Sequence, residues 1–274
     1  MINLARAETP VVLSLNAVDP SGTGGLHADI EACASIGTHC LGVAAAIMAR
    51  DTQEIKEIAP TKPGLVIEQT RALLEDIPVK VIKGGQLGSI ENIEVLHSIL
   101  VDYPDIPVVL EPELMHASTK LGADQQLLAH ASRALLLPKA HLVVMSNDQA
   151  FALSNSADTI DACAAEILDS GCEHLLVFGC DRNADRCQGR LFGQRGLIRT
   201  FDSSAYSAAT VPGAATVFTA CIAAYLAHGL LLHEGIAQAQ NFTLAAISQA
   251  RNLGMGRAIT NRMHWTNGKS SEQN

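Results

Sequence analysis

Short runs of apolar residues alternate along this chain with longer stretches in which apolar residues recur at helical spacing. The run at 11–15 predicts a buried strand, and the stretch at 26–36 behind it predicts a helix. The alternation then continues, with further strands predicted at 43–49, 79–82, 108–111, 141–145 and 174–179. Further helices are predicted at 63–74, 90–101, 124–137, 159–170, 213–228 and 231–252.

Strands that alternate with helices predict an α/β fold, in which a mostly parallel central sheet carries helices on both faces. Segment 189–201 departs from this pattern, because two short apolar runs flank 193–196 and predict a small antiparallel β-hairpin at the end of the sheet. The sequence shows no internal repeat and no linker. We therefore expect one domain over residues 1–274, with its core at about 11–265 and a polar tail at 267–274.

The charge balance narrows the possible partners. Lysine and arginine number 19 against 28 aspartates and glutamates, a formal net charge of −9, which argues against a nucleic-acid partner. A phosphate ligand remains compatible, because backbone N–H groups at a helix start can bind an anion on an acidic protein. The apolar stretches are too short to span a membrane, and the N-terminus lacks the pattern of a signal peptide. These features predict a cytoplasmic protein with no membrane partner.

The cysteines favour the same compartment. They are odd in number, scattered and without a CxxC pair, which predicts free thiols in a reducing environment. The seven are Cys33, Cys40, Cys163, Cys172, Cys180, Cys187 and Cys221. A metal cluster of Cys180, Cys187 and His174 would match no common zinc spacing.

The first candidate site is the glycine-rich loop NAVDPSGTGG at 16–25, which leaves a buried strand and enters a helix. Ligands of open parallel sheets bind beyond the carboxyl ends of the strands, where this loop is expected. Its glycines are compatible with close approach to a ligand and equally with a plain turn. Asp19 is expected to stabilise the loop and the helix start. His27 either contacts a ligand or simply packs at that helix start.

The second candidate site is VPGAAT at 211–216, which leads into an Ala-rich helix. Small residues at a helix start leave backbone donors uncovered, and such donors can hold a phosphate or an oxyanion. The alternative is a helix start that packs tightly on the sheet.

Three motifs point to a known family. DPSGTGGLHADIEACASIGTHC is similar to the family motif DPSGGAGxxADxxxxxxxGxxG, LVVMSNDQA stands near a TPNxxEA strand end, and VPGAATVFTA stands near an HGTGC/D motif. Over about 11–265 the chain thus resembles the hydroxymethylpyrimidine and phosphomethylpyrimidine kinases of thiamine synthesis, within the ribokinase-like superfamily. The resemblance implies a three-layer sandwich, commonly a homodimer. It also implies transfer of the γ-phosphate of ATP, with Mg²⁺, to a small pyrimidine.

The resemblance assigns phosphate-site roles to several residues. It places the anion hole at Gly213, Ala214 and Ala215, where the family has GTG, and puts Thr216 at the position of the family's Cys or Asp. A threonine hydroxyl is too weakly acidic to be a ready general base at pH 7. On the nucleotide side the residues implied are Asn147, Phe178 and Gly179, with Phe178 at a lysine position. Glu111 is the implied metal ligand, and Ala150 replaces a glutamate.

The implied pyrimidine site is altered as well. Its positions are Ala17, Asp19, Arg50, Gln86 and Glu113, with Arg50 at a glutamine, Gln86 at a methionine and Glu113 at a valine of the family. Arg50 and Glu113 could form a charged pair that fills the slot. They could instead recognise a more polar ligand, or one or both could point to solvent.

Three functions follow from this pattern. The first is an ATP- and Mg²⁺-dependent kinase of hydroxymethylpyrimidine. The second is a non-catalytic homologue that binds a ligand or regulates, and the third is a kinase of a changed substrate with its base supplied from elsewhere. Because the anion hole, the base and the pyrimidine site change together, we expect classical activity to be weak or absent.

Overall fold

Nine β-strands form one sheet in a computed structural model that describes residues 8–112, 122–154, 157–180, 187–203 and 211–269. The strands are β1 (Val11–Val18), β2 (His39–Arg50), β3 (Ile55–Pro60), β4 (Val81–Gly84), β5 (Val108–Leu110), β6 (Leu142–Ser146), β7 (His174–Cys180), β8 (Cys187–Gly193) and β9 (Gly196–Ser203). Their order across the sheet is β3-β2-β1-β4-β5-β6-β7-β8-β9.

The sheet is parallel in its interior and antiparallel at both edges. The six parallel strands are β2, β1, β4, β5, β6 and β7. The register places Val12 of β1 beside Cys40 of β2 on one side and Val81 of β4 on the other. β3 pairs antiparallel with β2, while β8 and β9 form an antiparallel hairpin against β7. The predicted mostly parallel sheet and its hairpin are therefore confirmed.

Helices cover both faces, as expected. They are α1 (Gly25–Ser35), α2 (Pro63–Asp76), α3 (Ile90–Asp102), α4 (Gly122–Ala131), α5 (Asn147–Leu153), α6 (Ile160–Leu168), α7 (Ala214–Ala227) and α8 (Leu232–Ser248). α1, α7 and α8 pack on one face of the sheet, and α2 to α6 pack on the other. In the described part of the chain, no helix combines the length and apolar character that crossing a bilayer requires.

Several element bounds differ from the sequence prediction for physical reasons. The helix predicted at 124–137 gives way to a π-turn at Ser132–Leu136 and a 3₁₀ turn at Leu137–Lys139, because Pro138 cannot continue the hydrogen-bond ladder. The last helix ends at Ser248, not 252, where the chain turns to pair Arg251 with Ile259. β3 and α5 were not predicted.

The prediction of free thiols is wrong at one position. Cys187 is disulfide-bonded, whereas Cys33, Cys40, Cys163, Cys172 and Cys221 are free. The antiparallel register of β7 and β8 sets position 180 directly opposite Cys187. The pairing of β7 with β8 therefore brings together two chain positions that look merely scattered in sequence.

Candidate ligand site at the carboxyl edge of the sheet

The loop between β1 and α1 is organised around the carboxylate of Asp19, which is completely buried. Oδ1 accepts hydrogen bonds from the backbone N–H and the hydroxyl of Ser21, and Oδ2 accepts one from the N–H of Gly24. The N–H of Gly22 donates to the Asp19 carbonyl, and the N–H of Thr23 donates to the Ser21 hydroxyl. These four N–H groups are thus used inside the loop, and Asp19 stabilises the loop as expected.

Arg50 closes onto this loop from the end of β2. Its Nη1 lies 3.2 Å from Oδ2 of Asp19, and 13% of its side chain is exposed. The carboxylate of Asp19 therefore neutralises Arg50, the one cation among the positions that the family resemblance implies for the pyrimidine. Glu113, the partner that the sequence suggested for Arg50, lies outside the described residues, so that pairing stays a prediction.

Gly213 joins the second candidate segment to the first loop. It precedes α7 with φ +79°, a conformation that favours glycine, and a Cβ at this position would overlap the carbonyl oxygen of Thr23. The backbone of the first loop consequently lies directly against the start of α7. The two segments that the sequence singled out, 190 residues apart, are therefore in direct contact.

A chain of buried charges runs beneath this site. The Lys83 ammonium, completely buried, lies 2.9 Å from Oδ1 of Asp29 and 3.4 Å from Oε2 of Glu111. Oδ2 of Asp29 accepts hydrogen bonds from the Ser14 hydroxyl and the Asn16 amide. Burial opposes the charged form of Lys83, but the two carboxylates outweigh it and raise its pKa. Lys83 is therefore a charged ammonium inside the protein.

Thr216 and Glu111 contact each other at the start of α7. The hydroxyl of Thr216 donates to Oε1 of Glu111 across 3.1 Å. Burial raises the pKa of Glu111, although the nearby Lys83 opposes this shift. Both oxygens of this carboxylate thus have a partner within the protein, one neutral and one cationic.

The residues implied for the nucleotide meet at the ends of β6 and β7. A Cβ at Gly179 would lie 3.1 Å from the amide carbon of Asn147, so these two positions touch. Phe178 is 5% exposed and packs edge-to-face on Phe218 of α7, with ring centroids 5.8 Å apart. The position of the family lysine therefore belongs to the apolar core. Ala150, at the glutamate position, is buried in α5.

The remaining predicted residues lie at the same edge. Asn16 accepts hydrogen bonds at its Oδ1 from the backbone N–H groups of Ala17 and Gln86, which ties the end of β1 to the end of β4. Ala17 is buried, and Gln86 is half-buried. His27 is exposed at the first turn of α1.

Sequence reasoning missed three charged residues of this edge. Lys83 and Asp29 read as parts of KGGQL and HADIE, and nothing in their spacing shows that they pair across α1 and β4. Arg262 is 5% exposed, and it donates to the Gly22 carbonyl, the Glu31 carboxylate and the Thr260 hydroxyl. An apolar context around a lone charge was the available signal, because a buried charge requires a partner.

The described residues fit a resident Mg²⁺ poorly. Mg²⁺ is usually held by one or two carboxylates together with substrate phosphates and water. Glu111 is the carboxylate at the implied position, but Lys83 already offsets its charge, and Ala150 supplies no second one.

The sequence model of the family described as Phosphomethylpyrimidine kinase matches residues 19–261. The hydroxymethylpyrimidine/phosphomethylpyrimidine kinase of Haemophilus influenzae is 28% identical over 93% of this chain and 96% of its own length. The bifunctional thiamine-biosynthesis proteins of Arabidopsis thaliana and Geobacter sulfurreducens are 25% and 27% identical, and the chain covers only 48% and 52% of their lengths.

Two solved structures show the same fold. Bacillus subtilis pyridoxal kinase, in an ADP complex, superposes with a TM-score of 0.84 at 21% identity, covering 94% of this chain and 99% of that one. Clostridium difficile phosphomethylpyrimidine kinase gives a TM-score of 0.75 at 22% identity, covering 87% of this chain and all of that one. The three-layer ribokinase-like architecture is thereby confirmed.

Proposed function

Because the chain belongs to the phosphomethylpyrimidine kinase family, we propose that it is a ligand-binding homologue of these kinases with strongly reduced phosphoryl transfer. It keeps the fold and the position of the site. In this proposal it binds a small polar heterocycle and passes phosphate from ATP to a hydroxymethylpyrimidine only slowly.

One observation carries the proposal, namely the hydrogen bond from Thr216 to Glu111. Position 216 is where the family resemblance places a Cys or Asp beside the anion hole. A neutral hydroxyl there is a poor proton acceptor, and its hydrogen already points to a carboxylate. A positioned general base typically contributes about 10²–10⁴-fold to the rate, so this change alone predicts a large loss.

The residues implied to face the phosphates of ATP also support reduced phosphoryl transfer. Phosphoryl transfer depends on positioning and on cations that stabilise the charge of the transferring group. Phe178 occupies the lysine position and is packed on Phe218, while the Lys83 ammonium is held by Asp29 and Glu111 beneath the site. Neither side chain offers a cation to the phosphates of ATP in this arrangement.

The substrate side favours a more polar ligand than the family's pyrimidine. Arg50 stands where the family uses a glutamine, and it reaches the buried Asp19 from the end of β2. A guanidinium at this place prefers a ligand that accepts hydrogen bonds. ATP binding is included in the proposal, supported by the fold shared with a kinase that was solved with ADP.

The test is a coupled assay of ADP formation with hydroxymethylpyrimidine as acceptor. We expect the unmodified chain to turn over at least about 10²-fold more slowly than the Haemophilus influenzae relative. The double variant Ala215→Gly, Thr216→Cys is expected to gain activity, because it restores a small anion-hole residue and an acidic thiol. Ala152→Gly, a change in α5 outside the site, is the control for the added glycine.

Calorimetry completes the test. We expect saturable binding of ATP or of the pyrimidine by the unmodified chain, with little turnover. Turnover equal to that of the relative would overturn the proposal, and so would the failure of both ligands to bind to the folded chain.

One contact favours a second candidate, a working kinase in which Glu111 takes the proton of the acceptor hydroxyl. Oε1 of Glu111 lies 3.1 Å from Thr216, the position of the family base, so a hydroxyl held near Thr216 would be close to this carboxylate. Glu111→Gln would abolish turnover in that case while binding persists. Under the first proposal the same substitution leaves the low turnover almost unchanged.

A further inference from the structure

A cluster of three metal-binding side chains lies at the opposite edge of the sheet from the candidate ligand site. His141 immediately precedes β6, and Glu173 and His174 stand at the start of β7. One ligand atom from each side chain lies within 4.8 Å of those of the other two. The carboxylate and the two imidazoles belong to neighbouring parallel strands, so the sheet register itself brings them together.

The backbone under the cluster is fixed by the sheet. The N–H of Glu173 donates to the Ala140 carbonyl at 3.1 Å, and that of His141 donates to the Val108 carbonyl at 3.0 Å. His141 and His174 stack edge-to-face with ring centroids 5.3 Å apart. The three side chains are therefore placed by regular strand pairing, which limits the entropy lost when a ligand joins them.

We propose that His141, Glu173 and His174 form a Zn²⁺ site. Two imidazoles and one carboxylate are a donor set that zinc uses, with water completing the tetrahedron. Zinc–ligand distances of about 2.0–2.2 Å require ligand atoms roughly 3.3 Å apart, so a small rotation of these side chains suffices. Glu173 is 65% exposed and His141 is 30% exposed, which leaves both room to rotate and a path for the ion.

The hydrogen bond made by the ring of His174 supports this assignment. Its Nδ1 lies 3.2 Å from the carbonyl oxygen of His141. Because a carbonyl only accepts, Nδ1 carries the hydrogen in this contact, and Nε2 keeps the lone pair that a metal needs. A ligand histidine that donates its other N–H to a carbonyl is the usual arrangement around protein-bound zinc.

His141 and Glu173 are already adjacent, with Nδ1 and Oε2 separated by 2.7 Å. Without a metal this contact is a hydrogen bond between the imidazole and the carboxylate. Zinc would replace that shared proton and draw in His174 as the third ligand. Two of the three side chains, those of His141 and Glu173, are thus already in contact, and the imidazole of His174 lies beside them.

The experiment is calorimetric titration of the untagged full chain with Zn²⁺ in a buffer without chelating components. We expect one ion per chain, and an affinity at least about tenfold lower in Glu173→Gln and in His174→Ala. His228→Ala is the matched control, because His228 is an exposed histidine whose ring contacts the Ile36 carbonyl, far from the cluster in sequence, and its loss is expected to leave Zn²⁺ affinity unchanged.

Two further readouts separate this site from alternatives. Co²⁺ in place of Zn²⁺ is expected to give a spectrum without thiolate-to-metal charge transfer, which excludes a cysteine site. Circular dichroism reports whether each variant is folded, and Glu173→Gln, at an exposed side chain, is the substitution least able to disturb folding. Unchanged Zn²⁺ affinity in folded Glu173→Gln and His174→Ala would overturn the proposal, as would a thiolate spectrum.

Discussion

The ammonium nitrogen of Lys83 lies 2.9 Å from Oδ1 of Asp29, and neither side chain has any exposed surface. The pair joins β4 to α1 beneath the candidate site, and Ser14 and Asn16 satisfy the second carboxylate oxygen. Removing charges from water is costly, so a buried pair survives only where both partners are present and well bonded. The two residues therefore behave as one unit.

The first prediction concerns this pair. Lys83→Met leaves the Asp29 carboxylate buried without its cation, and it should lower the free energy of unfolding by about 3–5 kcal/mol. The double variant Lys83→Met, Asp29→Asn should lose less than the sum of the two single changes, because the second change removes the orphaned charge. Urea denaturation measures all three variants. Additive losses would contradict the coupling.

The second prediction concerns Gly213. Gly213→Ala and Gly229→Ala both force an alanine into positive φ, at +79° and +85°, which costs about 1–2 kcal/mol. Only position 213 adds a clash, with the Thr23 carbonyl, whereas no atom lies within 4 Å of a Cβ at 229. Gly213→Ala should therefore be the more destabilising in thermal unfolding. Equal losses would show that the first loop does not rest on the start of α7.

The third prediction concerns Arg50. Arg50→Gln removes the cation from the buried Asp19, and it should cost about 1.5–3 kcal/mol of stability in urea denaturation. The same change restores the glutamine of the resembling family, so calorimetry should show tighter binding of hydroxymethylpyrimidine. Arg71→Gln is the control, because the Arg71–Asp102 pair is nearly half exposed and should contribute less than about 1 kcal/mol. Equal losses of stability in Arg50→Gln and Arg71→Gln would show that the contact of Arg50 with buried Asp19 contributes no more than an exposed ion pair.

The fourth prediction concerns thiol reactivity. Burial raises the pKa of Cys172 to about 11 and raises that of Cys221 well above its usual value, while a hydrogen bond with Cys40 and burial raise that of Cys33. At pH 8 only about one Cys172 thiol in a thousand is then a thiolate. Among these four, half-buried Cys40 should react first with iodoacetamide, as peptide mass spectrometry would show. Early labelling of Cys172 would indicate local opening of the fold.

The sequence predicts the layered fold well because each buried strand is a continuous apolar run and each helix has its own periodicity. It misses β3 because the segment IKEIAP is largely exposed and its two isoleucines are three residues apart, so the apolar residues do not alternate as they would in a half-buried strand. It misses α5 although Ser146 and Gln149 have the spacing of a capping box. In the structure each side chain of this pair accepts a hydrogen bond from the backbone N–H of the other residue. That helix is short, and its apolar residues merge with those of β6.

The site is predictable in position and only partly in its contacts. Asp19, Arg50, Glu111 and Thr216 follow from the strand ends and from the family resemblance, and the structure places them at one edge of the sheet. Their pairing does not follow, because it depends on which strands are neighbours and on where long side chains reach. Arg50 illustrates the limit, since its contact with Asp19, 31 residues away, depends on how far the side chain reaches from the end of β2.

Arg262 has a consequence for how the protein is made. Its guanidinium donates to the Gly22 carbonyl across 240 residues of chain, so the loop between β1 and α1 is completed only after a residue far along the chain has been synthesised. Contacts that span so much chain form late and slowly. A nascent chain that has emerged only as far as β9 therefore holds the nine described strands but not the residue that anchors this loop, and the candidate ligand site is completed after the sheet.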